Sequence, residues 1–141
     1  MIDQFRGQYD FLSNFHPSPI KYEGIMYPTV EHAYQAQKTH DEGERRRIAA
    51  IRGPGAAKLA GKKIKVRLDW FSRSLQLMYD LVLLKFSLHP VLRQQLLDTG
   101  KEELVEGNNW GDVFWGKVDG VGKNHLGEIL MQVRTELRRE F

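Results

Sequence analysis

Glu31, Tyr34, Gln35 and Lys38 place an acid, a phenol, an amide and an amine at helical spacing. Residues three and four apart share one face of an α-helix, so the four side chains stand in a row. At a rise of ~1.5 Å per residue, Glu31 and Lys38 lie about 10 Å apart along the axis, beyond a direct ion pair unless the side chains bend together. A ligand could lie between them. Periodicity alone nevertheless favours a plainer arrangement, a polar stripe facing water.

A second group lies in Gly107-Asn108-Asn109-Trp110-Gly111-Asp112, where an indole face adjoins a carboxylate and glycines allow tight turns. That combination suits base stacking beside an acid or base. A buried tryptophan anchoring the loop fits the same residues equally well. A third group, Gly120-Val121-Gly122-Lys123-Asn124, precedes a helical stretch and could offer backbone amides to a phosphate. It lacks the spacing and Lys-Ser or Lys-Thr pair of a P-loop, so an ordinary helix-entry turn is the stronger reading.

Other chemistries are disfavoured. The chain has no cysteine, which removes thiol nucleophiles, disulfides and thiolate metal sites. His32, His40 and His125 have no metal-ligand spacing, and no serine sits in a nucleophile elbow. Neither a metal nor a cofactor is expected. Net charge is +3, but between Glu44 and Arg67 nine basic residues face Glu44 alone, a local excess of eight. Such a segment suits an anionic partner, or a solvated helix face with a basic loop.

The elements that must position these residues are marked by their punctuation. The 141 residues, 41% of them hydrophobic, suffice for one domain with its own core. The aromatic-rich start through Tyr27, with turn formers at Ser13-Asn14, Pro17-Ser18-Pro19 and Glu23-Gly24, predicts short strands and turns. Thr29 is a good N-cap for a helix from Val30 to about Thr39. Further helices are expected over Glu44 to Ile51 and Ala56 to Leu59. Asp69 caps the longest stretch, whose apolar side reads Phe71, Leu75, Met78, Tyr79, Val82, Leu83 and Phe86, up to His89-Pro90. Val91 to Leu97 predicts a helix stopped by Gly100. Glu103 to Glu106 reads as a strand, with a hairpin-like return through Val113-Phe114-Trp115. The last helix carries Leu126, Ile129, Leu130, Val133 and Leu137 on one side. The fold class is therefore mainly α with a small β-sheet, in a single domain. Met1 to Gly7 lacks the apolar stretch of a signal peptide and no apolar run reaches the ~20 residues of a membrane span, so a cytoplasmic protein without a membrane partner is expected.

Four strings, taken together, resemble the YbiA-like family, also called NADAR, across nearly the whole chain. They are Phe11-Leu12-Ser13-Asn14-Phe15, the stretch from Tyr27 to Lys38, Asn109-Trp110-Gly111-Asp112, and Gly120 to Gly127. The resemblance implies a mostly helical fold with minor β structure and an N-glycosidase activity. Its substrate would be a phosphorylated ribosyl-base, either a ribosylaminopyrimidine phosphate of the riboflavin pathway or ADP-ribose on guanine in nucleic acid. Both join ribose C1 to an exocyclic amine. The resemblance further implies Glu31, Lys38 and Asp112 as catalytic residues, with Asn14, Phe15, Tyr34, Gln35, Trp110, Gly122 and Asn124 binding substrate.

A lysine Schiff base would suit this bond, and direct water attack remains the alternative. A non-catalytic module binding ADP-ribose, NAD or nucleic acid is the reading outside enzymology. No segment points to an obligate protein partner.

Overall fold

The hairpin that leads to the helix of Glu31 is set by two residues. Strands β1 (Ile20–Tyr22) and β2 (Ile25–Tyr27) pair antiparallel, with Ile20 opposite Tyr27 and Tyr22 opposite Ile25. Glu23 and Gly24, which join them, both have positive φ, 47° and 85°, as a two-residue turn matched to strand twist requires. Alternation then buries Ile20, Ile25 and Tyr27 and exposes Met26.

The computed structural model describes residues 1–140. It is a mainly α fold with this one small sheet. Its contacts gather into two compact units, Asn14–Leu88 in one and Met1–Ser13 with the chain from His89 onward in the other.

The first unit holds the hairpin and four helices, α1 (Val30–Ala36), α2 (Glu42–Ala49), α3 (Pro54–Gly61) and α4 (Trp70–Leu88). Thr29 caps α1 as expected, its hydroxyl accepting from the His32 N–H at 3.1 Å. Helix α1 ends at Ala36, short of the expected Thr39. The amides of Gln37, Lys38 and Thr39 bond back three residues to Tyr34, Gln35 and Ala36, tightening the chain into a 3-10-like turn. Helix α3 starts on Pro54 after Gly53 at φ 79° and packs against α1.

The buried face of α4 keeps Met78, Val82 and Phe86 of the expected one and departs from it elsewhere. Phe71 is 91% exposed and Leu75 is exposed, while Trp70, Ser74, Leu77, Met78, Leu81, Val82, Lys85 and Phe86 are buried. Two stripes one position apart compete along this helix, and polar Ser74 and Lys85 hide the true one from a hydrophobicity pattern. Lys85 is accommodated with its ammonium 4.9 Å from the Phe86 ring centroid.

The second unit contains a 3-10 helix (Gly7–Leu12), α5 (Pro90–Asp98) and α6 (His125–Glu140). All five apolar residues expected on the last helix are buried. The anticipated strand at Glu103 to Glu106 and its hairpin return do not form. Single bridges replace them, Ile2 with Leu104, Gly107 with Lys117 and Val118 with Val121. Gly107, Gly116, Gly120 and Gly122 stand in or beside the last two bridges, where no ladder propagates. Among the described residues, no single helix is long and apolar enough to cross a membrane.

Candidate active site

Helix α1 is buried along its whole length, so the row of polar residues is no solvated stripe. Glu31 is only 8% exposed, and Tyr34 and Gln35 are buried with it. Burying an acid in the first turn is eased by the helix N-terminus, whose partial positive charge favours a carboxylate. The backbone N–H of Glu31 donates to the Asn14 carbonyl at 3.1 Å, which pins the Asn14-Phe15 segment to the start of α1. The Asn14 amide donates toward the Met78 sulfur at 3.4 Å. Phe15 is exposed.

Gln35 orients the acid. Its Nε2 donates to Glu31 Oε2 at 2.6 Å, one helical turn away. Its Oε1 is buried with no hydrogen-bond partner among the described residues. Such an orphan acceptor costs about 1–3 kcal/mol, a penalty typical of a group held for positioning. The amide is fixed against α3, for a Cβ on Gly61 would lie 1.9 Å from Gln35 Oε1. Tyr34 packs on Trp70 at 4.9 Å between ring centroids, which makes Trp70 a wall of this region.

Lys38 stands on the turn after α1, half-buried, with its carbonyl accepting from Arg67 N–H at 2.8 Å. Burial pushes its ammonium pKa below the ordinary lysine range. The Glu31 charge opposes this shift, while Lys62 and Lys58 reinforce it. The result is an amine more readily neutral than an exposed lysine, as a nucleophile must be. Lys58 and Lys62 were only members of a basic run in the sequence. Their place beside Lys38 depends on α3 folding back over α1.

His32 plays no such part. Its Nδ1 lies 2.7 Å from the Thr29 hydroxyl and its Nε2 2.9 Å from the Ile51 carbonyl, so both ring nitrogens are engaged in a buried cap. Among the described residues, no group of three histidines and carboxylates could hold a metal ion. Much of the basic segment is neutralised, with Arg45 on Glu23, Arg46 on Glu42, Arg47 on Glu44 and Arg67 on Asp69.

The remaining expected site residues belong to the other unit. Trp110 is 52% exposed, which excludes the buried-anchor reading. Asp112 Oδ1 accepts from the Phe114 and Trp115 amides at 3.0 and 2.8 Å. Asn108 ties the same loop, accepting from Trp110 and Asp112 N–H and donating to the Asp112 carbonyl. Asn124 is buried at φ 53°, accepting from Glu106 N–H at 2.9 Å and donating to the Leu104 carbonyl at 3.0 Å. Gly122, at φ 149°, leaves no room for a Cβ, which would meet the Gly116 carbonyl at 2.3 Å. These last two residues are built into the backbone scaffold of their unit.

Residues 3–138 match the model of the NADAR domain. The chain is 39% identical to N-glycosidase YbiA of Escherichia coli K12 over 94% of its length and 84% of that protein. It is 41% identical to N-glycosidase Npun_R5314 of Nostoc punctiforme, covering 92% of this chain and 86% of the relative. Riboflavin biosynthesis protein VVA0006 of Vibrio vulnificus is 38% identical over 91% of this chain, a match to 35% of that longer protein. The NMR structure of E. coli YbiA matches with a TM-score of 0.85 at 38% identity, covering 99% of this chain and 88% of that one.

Proposed function

The chain belongs to the NADAR domain family and is an enzyme of the N-glycosidase class, and on that premise we propose that it breaks the bond between ribose C1 and an exocyclic base nitrogen through Lys38. The observation that carries the assignment is the half-buried Lys38 amine, held below its ordinary pKa within the field of a buried glutamate. The lone pair of the exocyclic nitrogen opens the sugar ring to an imine at C1. Lys38 Nζ then adds to C1, and the C1–N bond to the base breaks as the base leaves as its amine. Water adds to the lysine imine and returns free sugar and lysine. Glu31, oriented by Gln35, moves the protons at the sugar and the leaving amine. Lys58 and Lys62 favour the neutral Lys38 and attract an anionic substrate.

The substrate is a ribosyl-base carrying phosphate, with a ribosylaminopyrimidine phosphate or ADP-ribosylated guanine in nucleic acid as the two forms of that chemistry. The names of the riboflavin biosynthesis relatives support the first, and the lysines beside Lys38 serve both.

Mass spectrometry of products from both substrates tests the assignment, alongside Lys38→Ala and borohydride trapping. We expect release of the intact base, a reduced adduct on Lys38, and a loss of at least ~10³-fold in turnover for Lys38→Ala. Turnover without a trapped adduct would replace the covalent step with water attack. Binding without cleavage in the unmodified protein would leave a nucleotide-binding module.

A further inference from the structure

Beside the turn that carries Lys38, within the same unit, lies a small recess of about 90 Å³ whose wall includes Tyr22, Glu23, His40, Arg45, Arg67 and Arg73. Its volume is room for about three waters at ~30 Å³ each, and so for one tetrahedral oxyanion but not a nucleotide. Three guanidinium groups line it with one carboxylate, Glu23, and because Asp69 pairs with Arg67 from beside the recess, one positive charge is left in excess.

Two of the arginines are already set in place. Arg45 donates through Nε to the Thr39 carbonyl at 2.8 Å and through Nη1 to Glu23 at 2.7 Å, its side chain 11% exposed. Arg67 grips Asp69 with two bonds, at 2.5 and 2.8 Å, and its side chain is 15% exposed. Each thus spends two of five N–H donors and has the others to offer. The Arg73 side chain has no hydrogen bond or ion pair among the described residues, its backbone N–H alone donating to the Asp69 carbonyl, so its whole fork is available to an anion. Burial, reinforced by Glu23 and Asp80, pushes the Tyr22 phenol pKa up, so the phenol keeps its proton as a further donor. The recess is joined to the proposed nucleophile by main chain. Gln37 and His40 bracket Lys38 in sequence, and Arg67 N–H holds the Lys38 carbonyl.

We infer that Arg45, Arg67 and Arg73 with Tyr22 form a subsite for a terminal phosphate monoester. Its positive charge and small size match a terminal phosphate group better than the two-sided chain of a phosphodiester. Only the step that makes this phosphate part of the substrate rests on the glycosidase assignment; the anion site itself does not.

The test is an NMR titration of the full chain with inorganic phosphate, read at the arginine Nε–H and His40 ring signals. We expect saturable shifts at Arg45, Arg67, Arg73 and His40, at least tenfold weaker binding in Arg73→Gln, and no change in the exposed control Arg52→Gln. Lys38→Ala should bind phosphate as the parent does, so a failed glycosidase assignment and a failed anion site give different results. Ribose 5-phosphate should displace the phosphate, and a DNA oligonucleotide without terminal phosphates should not. Unsaturable shifts spread over Arg52, Lys63 and Lys65, or full-strength binding in Arg73→Gln, would overturn the site. Displacement by the oligonucleotide would overturn its assignment to a terminal monoester.

Discussion

The polar face of α1 and the loops of Gly107 to Asn124 carry side chains of similar chemistry, yet they spend them differently. In the loops, Asn108, Asp112 and Asn124 turn their oxygens and amides onto nearby backbone. On α1, Gln35 leaves an acceptor unpartnered in order to hold Glu31, and on the turn after it Lys38 is kept where its charge is disfavoured. Polar groups that satisfy the backbone stabilise a conformation, whereas buried groups held at a cost retain capacity for a reacting molecule. The same residue types thus build a scaffold in one unit and the proposed reactive centre in the other.

The sharpest break of this contrast is a pair of matched substitutions that remove one charge each. Glu31→Gln should lower kcat/KM by about 10²–10⁴, the range for a lost acid or base. Asp112→Asn keeps an oxygen for the Phe114 and Trp115 amides and should lower it by less than ~10-fold. Steady-state kinetics of the two side by side decides, and equal losses would place Asp112 in the chemistry. Next in size, Asn124→Ala strands two backbone groups and puts alanine at φ 53°, so thermal unfolding should show about 2–4 kcal/mol of lost stability. Its KM in the folded protein should stay as it was, because Asn124 is scaffold.

Smaller effects sharpen the comparison further. Trp110→Ala should raise KM by about 5- to 100-fold if its exposed indole stacks a base, a contact worth ~1–3 kcal/mol, with kcat little changed. An unaltered KM would make the indole a surface feature of its unit. The mildest change is Lys62→Gln. Lys62 lowers the Lys38 pKa, so removing it raises that pKa and the neutral amine appears only at higher pH. The rising limb of the pH profile of kcat/KM should therefore move upward, and a downward or absent shift would dissociate Lys62 from the nucleophile.

Local chemistry in the sequence determined where elements start and stop. Thr29, Gly53-Pro54, His89-Pro90 and Gly100 act through caps and backbone angles that need only near neighbours, and the final helix shows its apolar side because Leu126, Ile129, Leu130, Val133 and Leu137 outweigh the one arginine, Arg134, buried beside them. The α1 row was likewise visible as a set of types at a spacing. Tertiary structure alone decided that this row is buried, that α4 turns Trp70 rather than Phe71 inward, and that α3 brings Lys58 and Lys62 to Lys38. It also decided that Asn124 is spent on Glu106 and Leu104. Burial, desolvation and the neighbours that shift a lysine are properties of distant segments meeting, and no period along a chain encodes which segments those will be.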